Sequence, residues 1–278
     1  MIKVLVKSAA AAAMLAVCTH SGVVAADSGA KLAAESVARP AACQNFGPQT
    51  PRDISSVLGT NPVKFPMPVN SGDMNLCNIH FHNAAEHKGP GFSIKHADVG
   101  YECGMAKNLT EAELKPYNGN MCKNVKPGDT IEMHWVHSSC DVSPGPGLGS
   151  CLSDTCANPS LRVETQVFTV VNDPNALDFA EFRYAGEGAN GMHQPKSLPT
   201  GTGTPVEFLG STTGPSYTEE TCSPLQVGWS VRPQCAKVHI GSLSDWCADN
   251  AFDEDDAHGV RELVTNPDLL SPIIAATP

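Results

Sequence analysis

Prolines and glycines interrupt this chain so often, 22 and 24 of them in 278 residues, that long helices are excluded over most of its length. The apolar runs left between them are short: "IEMHWVH" (131–137), "LRVETQVFTVV" (161–171), "LQVGWSV" (225–231) and "AKVHIG" (236–241). They are rich in Val, Ile, Phe and Trp, and several alternate in polarity, which predicts strands with one face on a core. Helices are expected only at "TEAELKPY" (110–117) and "DPNALDFAEF" (173–182). No internal repeat or linker is visible, so the expectation is one mainly-β domain with a few short helices.

Residues 1–26 read as a secretory signal peptide: basic Lys3 and Lys7, a short apolar run, then small residues before Asp27. The run is too short to span a bilayer, and no later stretch is apolar enough. Residues 27–65 are expected to be an irregular lead-in, and 66–278 the main folded domain. Of eleven cysteines, one (Cys18) lies in the leader, and an even set of ten remains behind it. That predicts disulfides and an extracellular or periplasmic location. "CLSDTC" (151–156) reads as a staple within the long loop 141–160. Acidic residues outnumber basic ones by 29 to 18, and no basic cluster offsets them, so nucleic acid and anionic lipid are excluded as partners. "DEDD" (253–256) reads as a solvated loop, with a calcium site as the minor alternative.

Two runs concentrate the chemistry. "NIHFHNAAEH" (78–87) holds three of the ten histidines, and "IEMHWVHSSC" (131–140) holds two more. In a strand, residues i and i+2 share a face. Asn78, His80 and His82 would project together from one strand, and Glu132, His134 and Val136 from another. His137 has the wrong parity. If the strands are neighbours, His80, His82 and His134 converge, and three imidazoles with an open fourth position suit a catalytic zinc ion. Asn78 and Glu132, each two residues before a proposed ligand, could accept the spare ring N–H.

These runs, with "GPGLGSC", "LRVETQVF", "VVND" and "GSTTGPS", resemble the delta-class carbonic anhydrases, and their layout is similar to the alpha class. The resemblance spans about residues 75–235. It implies a single domain on a large twisted, mostly antiparallel β-sheet, and reversible hydration of CO2 to bicarbonate through zinc-bound hydroxide. It also implies Zn2+ as cofactor, with Co2+ a possible substitute. His80, His82 and His134 would be the ligands, with Asn78 and Glu132 behind them. Thr213 would orient the hydroxide, Glu86 would fix the threonine proton, and Val136 would line the CO2 pocket. Cys43 and Cys222 would pair. Glu86 lies only four residues past His82, roughly 13 Å along a straight strand, so it reaches the site only if the chain turns at "NAA". A proton exit would draw on His87, His96, His193, His239 or His258.

Two other readings compete. "HFHNAAE" also fits a cupin, in which Glu86 is itself a ligand and the metal is iron or manganese. A non-catalytic binding protein of carbonic anhydrase fold would have no need of the intact triad. A blue-copper centre lacks a suitable cysteine.

Overall fold

The computed structural model describes residues 43–97, 99–212 and 221–273. Ten strands follow in chain order: β1 Asn75–Asn83, β2 Phe92–Lys95, β3 Tyr101–Cys103, β4 Thr130–Ser138, β5 Leu161–Val171, β6 Tyr184–Glu187, β7 His193–Pro195, β8 Val206–Ser211, β9 Gln226–Val231 and β10 Ala236–His239. One α-helix, α1 Ile240–Ala248, continues from β10. The principal sheet runs β1-β4-β5-β9-β8, and β10 pairs with β5 beyond β9. The mainly-β expectation therefore holds. Antiparallel pairing predominates, but β5 takes parallel partners in both β9 and β10, which makes the sheet mixed.

The period of two divides the sheet into two cores. Ile79, Phe81, Ile131, Met133 and Trp135 face Phe179, Leu243 and Trp246 on the α1 side. Val136, Val163, Val167, Phe208, Trp229 and Val231 fill the opposite side. The described residues form one compact unit around these cores. A bulge shifts the register of β1 against β4 between Leu76 and Asn78. It lies ahead of the histidines, so the parity expected for Asn78, His80 and His82 survives.

The helix expectations need correction. Thr110 and Glu113 do form the reciprocal cap, with Thr110 N–H to the Glu113 carboxylate at 2.8 Å and Glu113 N–H to Thr110 Oγ1 at 3.3 Å. Yet only a turn follows, because Pro116 has no N–H and disfavours helix in the residue before it. At 173–182 only a 3-10 turn forms, Phe179–Glu181, capped by Asp178. The real helix, α1, has no side-chain cap. Its apolar face and the Cys122–Cys247 bridge hold it instead.

All ten cysteines expected to pair do so: 43–222, 77–151, 103–235, 122–247 and 140–156. Cys151 and Cys156 are not bonded to each other. They fasten loop 141–160 to the ends of β1 and β4 through Cys77 and Cys140. Among the described residues no helix is long and apolar enough to cross a membrane.

The acidic run is not simply solvated. Glu254 is buried and accepts the Phe81 N–H at 3.1 Å, Asp255 pairs with Lys123, and Asp256 accepts from Asn124. Three of the four carboxylates of the run are engaged within the chain. Residues 254–261 thus lie along the free edge of β1. His258 exchanges backbone hydrogen bonds with Phe81 and Asn83 at 2.9 and 2.8 Å.

Candidate metal centre

Strands β1 and β4 run antiparallel with His80 directly opposite His134 and His82 opposite Glu132. The three rings gather with centroids 4.9–5.3 Å apart. One nitrogen of each ring meets an oxygen that can only accept. His80 Nδ1 donates to Asn78 Oδ1 at 2.7 Å, and His82 Nδ1 donates to the Gly259 carbonyl at 2.9 Å. His134 Nε2 donates to Glu132 Oε1 at 3.2 Å. Asn78 is itself oriented by its Nδ2–H on the Gly145 carbonyl.

Those donations set the tautomers and leave His80 Nε2, His82 Nε2 and His134 Nδ1 as lone pairs. Potential ligand atoms of the three residues lie within 4.8 Å of one another. His80 Nε2 and His134 Nδ1 are 3.2 Å apart. Two bare lone pairs repel at that distance, and a cation between them removes the conflict. Zinc bonds to nitrogen at about 2.0–2.1 Å in a tetrahedron, which separates two ligands by roughly 3.3 Å. The donor set, and the spacing of this pair, therefore fit zinc. Burial holds His80 well below its ordinary pKa, reinforced by the neighbouring histidines, and burial lowers His82 despite Glu86. Both rings are thus kept in the neutral form that ligation requires.

Glu132 does more than serve His134. Its Oε1 also accepts His87 Nδ1–H at 2.7 Å, and its Oε2 accepts the backbone N–H groups of Glu86 and His87. Burial pushes this carboxyl up, but His87 and His134 more than offset that and hold it below the ordinary range. The nitrogens and oxygens of His87, Glu132 and His134 also lie close enough for a metal. Here, however, the carboxylate is already hydrogen-bonded between two rings, and this group is a support for His134. His87 Nε2 is buried without a hydrogen-bond partner, beside Trp229 and Phe208.

The chain does turn at "NAA". β1 ends at Asn83, Ala84 adopts φ 73°, and its N–H is caught by the Thr130 carbonyl. Glu86 is thereby brought back to 3.8 Å from His82 Nδ1. It meets the ring on the nitrogen turned away from the other two, so it is not a ligand there. Its carboxylate is gripped by Arg261, with Nε and Nη2 each donating at 3.1 Å. Burial raises its pKa, but Arg261 and His82 pull it well below the usual carboxylate range.

Val136 is buried in the core that includes Trp229, and the Trp229 ring stands edge-on to His134 at 5.1 Å. His137 lies on the other face, its Nδ1 on the Trp135 carbonyl, level with Arg162 of β5. Cys43 and Cys222 are bonded. Thr213 lies outside the described residues, while Ser211 and Thr212 before it are buried. Of the five histidines considered for a proton exit, only half-exposed His258 borders two of the three rings from outside, stacked on His80 at 5.6 Å with Nε2 on Glu254. His96 and His193 pair elsewhere, with Glu102 and Tyr184, and His239 packs against Tyr117.

Sequence reasoning missed Gly259, Arg261 and Trp229, and it offered His258 only as one of five candidates for a proton exit. Gly259 contributes only a carbonyl, which leaves no signature in a sequence, and it meets His82 across 177 residues.

A histidine-built centre on one face of a mixed β-sheet, backed by oxygen acceptors, marks a metalloenzyme type of site. The family comparison makes it more definite. The family model for delta carbonic anhydrase matches residues 71–242, well over half the chain, and the chain belongs to that family. A family assignment of this kind leaves the cupin reading without support. Among solved structures, an alpha-carbonic anhydrase from Photobacterium profundum is 15% identical, with 81% of this chain and 89% of that one covered at a TM-score of 0.34. A hyperthermostable carbonic anhydrase from an active hydrothermal vent chimney is 14% identical, with 81% and 86% covered at a TM-score of 0.32. The curated proteins give no match.

Proposed function

We propose that this chain is an exported carbonic anhydrase that hydrates CO2 reversibly to bicarbonate and a proton, with Zn2+ held by His80, His82 and His134. One observation carries the reading: each of the three rings has one nitrogen committed to an oxygen acceptor, which leaves the remaining nitrogens as a convergent set of lone pairs. A zinc ion held there supplies the Lewis acidity that acidifies water. The residues do the rest. Asn78, Gly259 and Glu132 hold the rings in one tautomer and orientation. Val136 and Trp229 offer an apolar wall suited to a nonpolar gas. Glu86, kept ionised, is an acceptor beside the centre for a hydroxyl such as that of Thr213. The ten paired cysteines and the leader at residues 1–26 support an extracytoplasmic location.

Metal analysis and a CO2-hydration assay test this together. One zinc per chain is expected, with activity lost to a chelator and restored by zinc or cobalt. A chain that binds no metal, or is inactive with zinc bound, would sink the proposal.

A further inference from the structure

Arg261 lies far from both histidine runs in sequence, yet its guanidinium grips Glu86, one of the two buried carboxylates beside the three rings. We propose that Arg261 is a positioning residue for the reaction, acting through Glu86: its guanidinium fork fixes the orientation of that carboxylate next to the histidine centre. The inference rests on the function proposed above and adds a residue to it.

Three donors from this single residue converge on Glu86. Arg261 Nε and its backbone N–H reach Oε1 at 3.1 and 3.3 Å, and Nη2 reaches Oε2 at 3.1 Å. Two-point contact by a planar guanidinium fixes the plane of a carboxylate as well as its position, which the single charge of a lysine does not. Glu86 is only 2% exposed, and its backbone N–H is tied to Glu132, so both ends of the residue are held. His82 has no need of this carboxylate, since its Nδ1–H is satisfied by Gly259 at 2.9 Å while Glu86 stays at 3.8 Å. A carboxylate accepts about four hydrogen bonds. Two on Oε1 and one on Oε2 leave capacity on Oε2, and the fork determines where that remaining lone pair is aimed. Gly259 and Arg261 belong to the same short segment, so the run that fixes His82 also fixes Glu86.

The test is a double-mutant cycle on the zinc-loaded chain. Arg261→Lys keeps the charge and removes the fork; Glu86→Gln removes the charge that the fork holds. Expected for Arg261→Lys is a fall in kcat of about tenfold to a hundredfold, the range for lost supporting contacts, with zinc per folded chain and KM unchanged. On the Glu86→Gln background the same change should cost nothing further. Full activity in Arg261→Lys, loss of zinc from it, or a loss repeated in full on Glu86→Gln overturns the inference. If Arg261→Lys does not fold, Arg261→Gly decides: added guanidinium, but not ammonium, should restore kcat, and no recovery overturns it. An inactive wild-type chain would instead count against the proposed function itself.

Discussion

At the scale of single residues, two histidines three positions apart have opposite roles because the pleat separates them. His134→Ala should remove most zinc from the folded chain, whereas His137→Ala should leave zinc bound; zinc per folded chain, measured for each, decides. His137 carries its own prediction. It is fully buried, and burial lowers its pKa to about 4, against the opposing pull of Glu164 and with a smaller lowering from Arg162. Its folded pKa lies below its unfolded value of 6.5, so the unfolded chain binds the proton more tightly. The stability this residue contributes is therefore complete above about pH 6.5 and is lost as pH falls toward 4. The whole effect is on the order of 3 kcal/mol. Denaturation midpoints between pH 4 and 7 should fall more steeply for the native chain than for His137→Gln. Equal slopes would refute this, and the metal-free form should be used so that loss of zinc does not intrude.

At the scale of elements, what was legible was whatever repeats with the period of a strand. β4, β5, β9 and β10 were marked by short runs rich in Val, Ile, Phe and Trp, and the shared face of Asn78, His80 and His82 on β1 could be read without knowing the partner strand. Helix was misread in both directions, for reasons of context. The Thr110–Glu113 cap was real, but Pro116 ended it after a turn. α1 lacks local signals because Ile240, Leu243, Trp246 and Cys247 are stabilised by burial. The acidic run at 253–256 misled because its meaning lies in Lys123, Asn124 and the backbone of β1. If α1 depends on tertiary support, replacing Cys122 and Cys247 with serine should destabilise the chain by about 2–4 kcal/mol. A change below about 0.5 kcal/mol in urea denaturation would show that packing alone suffices.

At the scale of the whole molecule, none of the residues in the five disulfides or in the two cores of the sheet is one of the three histidines. Chelation should therefore abolish activity yet leave the far-ultraviolet circular dichroism spectrum unchanged. The thermal midpoint should drop only by the amount that ligand binding adds, about 2.7 kcal/mol when zinc is a hundredfold above its Kd. Unfolding on chelation would mean the ion is structural. The segment 254–261 along β1 has a further consequence, for the order in which the protein is made. All three histidines are in the chain once residue 134 is synthesised, but the carbonyl that sets the tautomer of His82 comes from Gly259, and the arginine on Glu86 two residues later. A nascent chain thus carries all three histidines long before it carries the groups that orient His82 and Glu86. Completion of the centre waits until residues 259–261 have been made, and on the proposed function tight capture of a metal is expected only after that point.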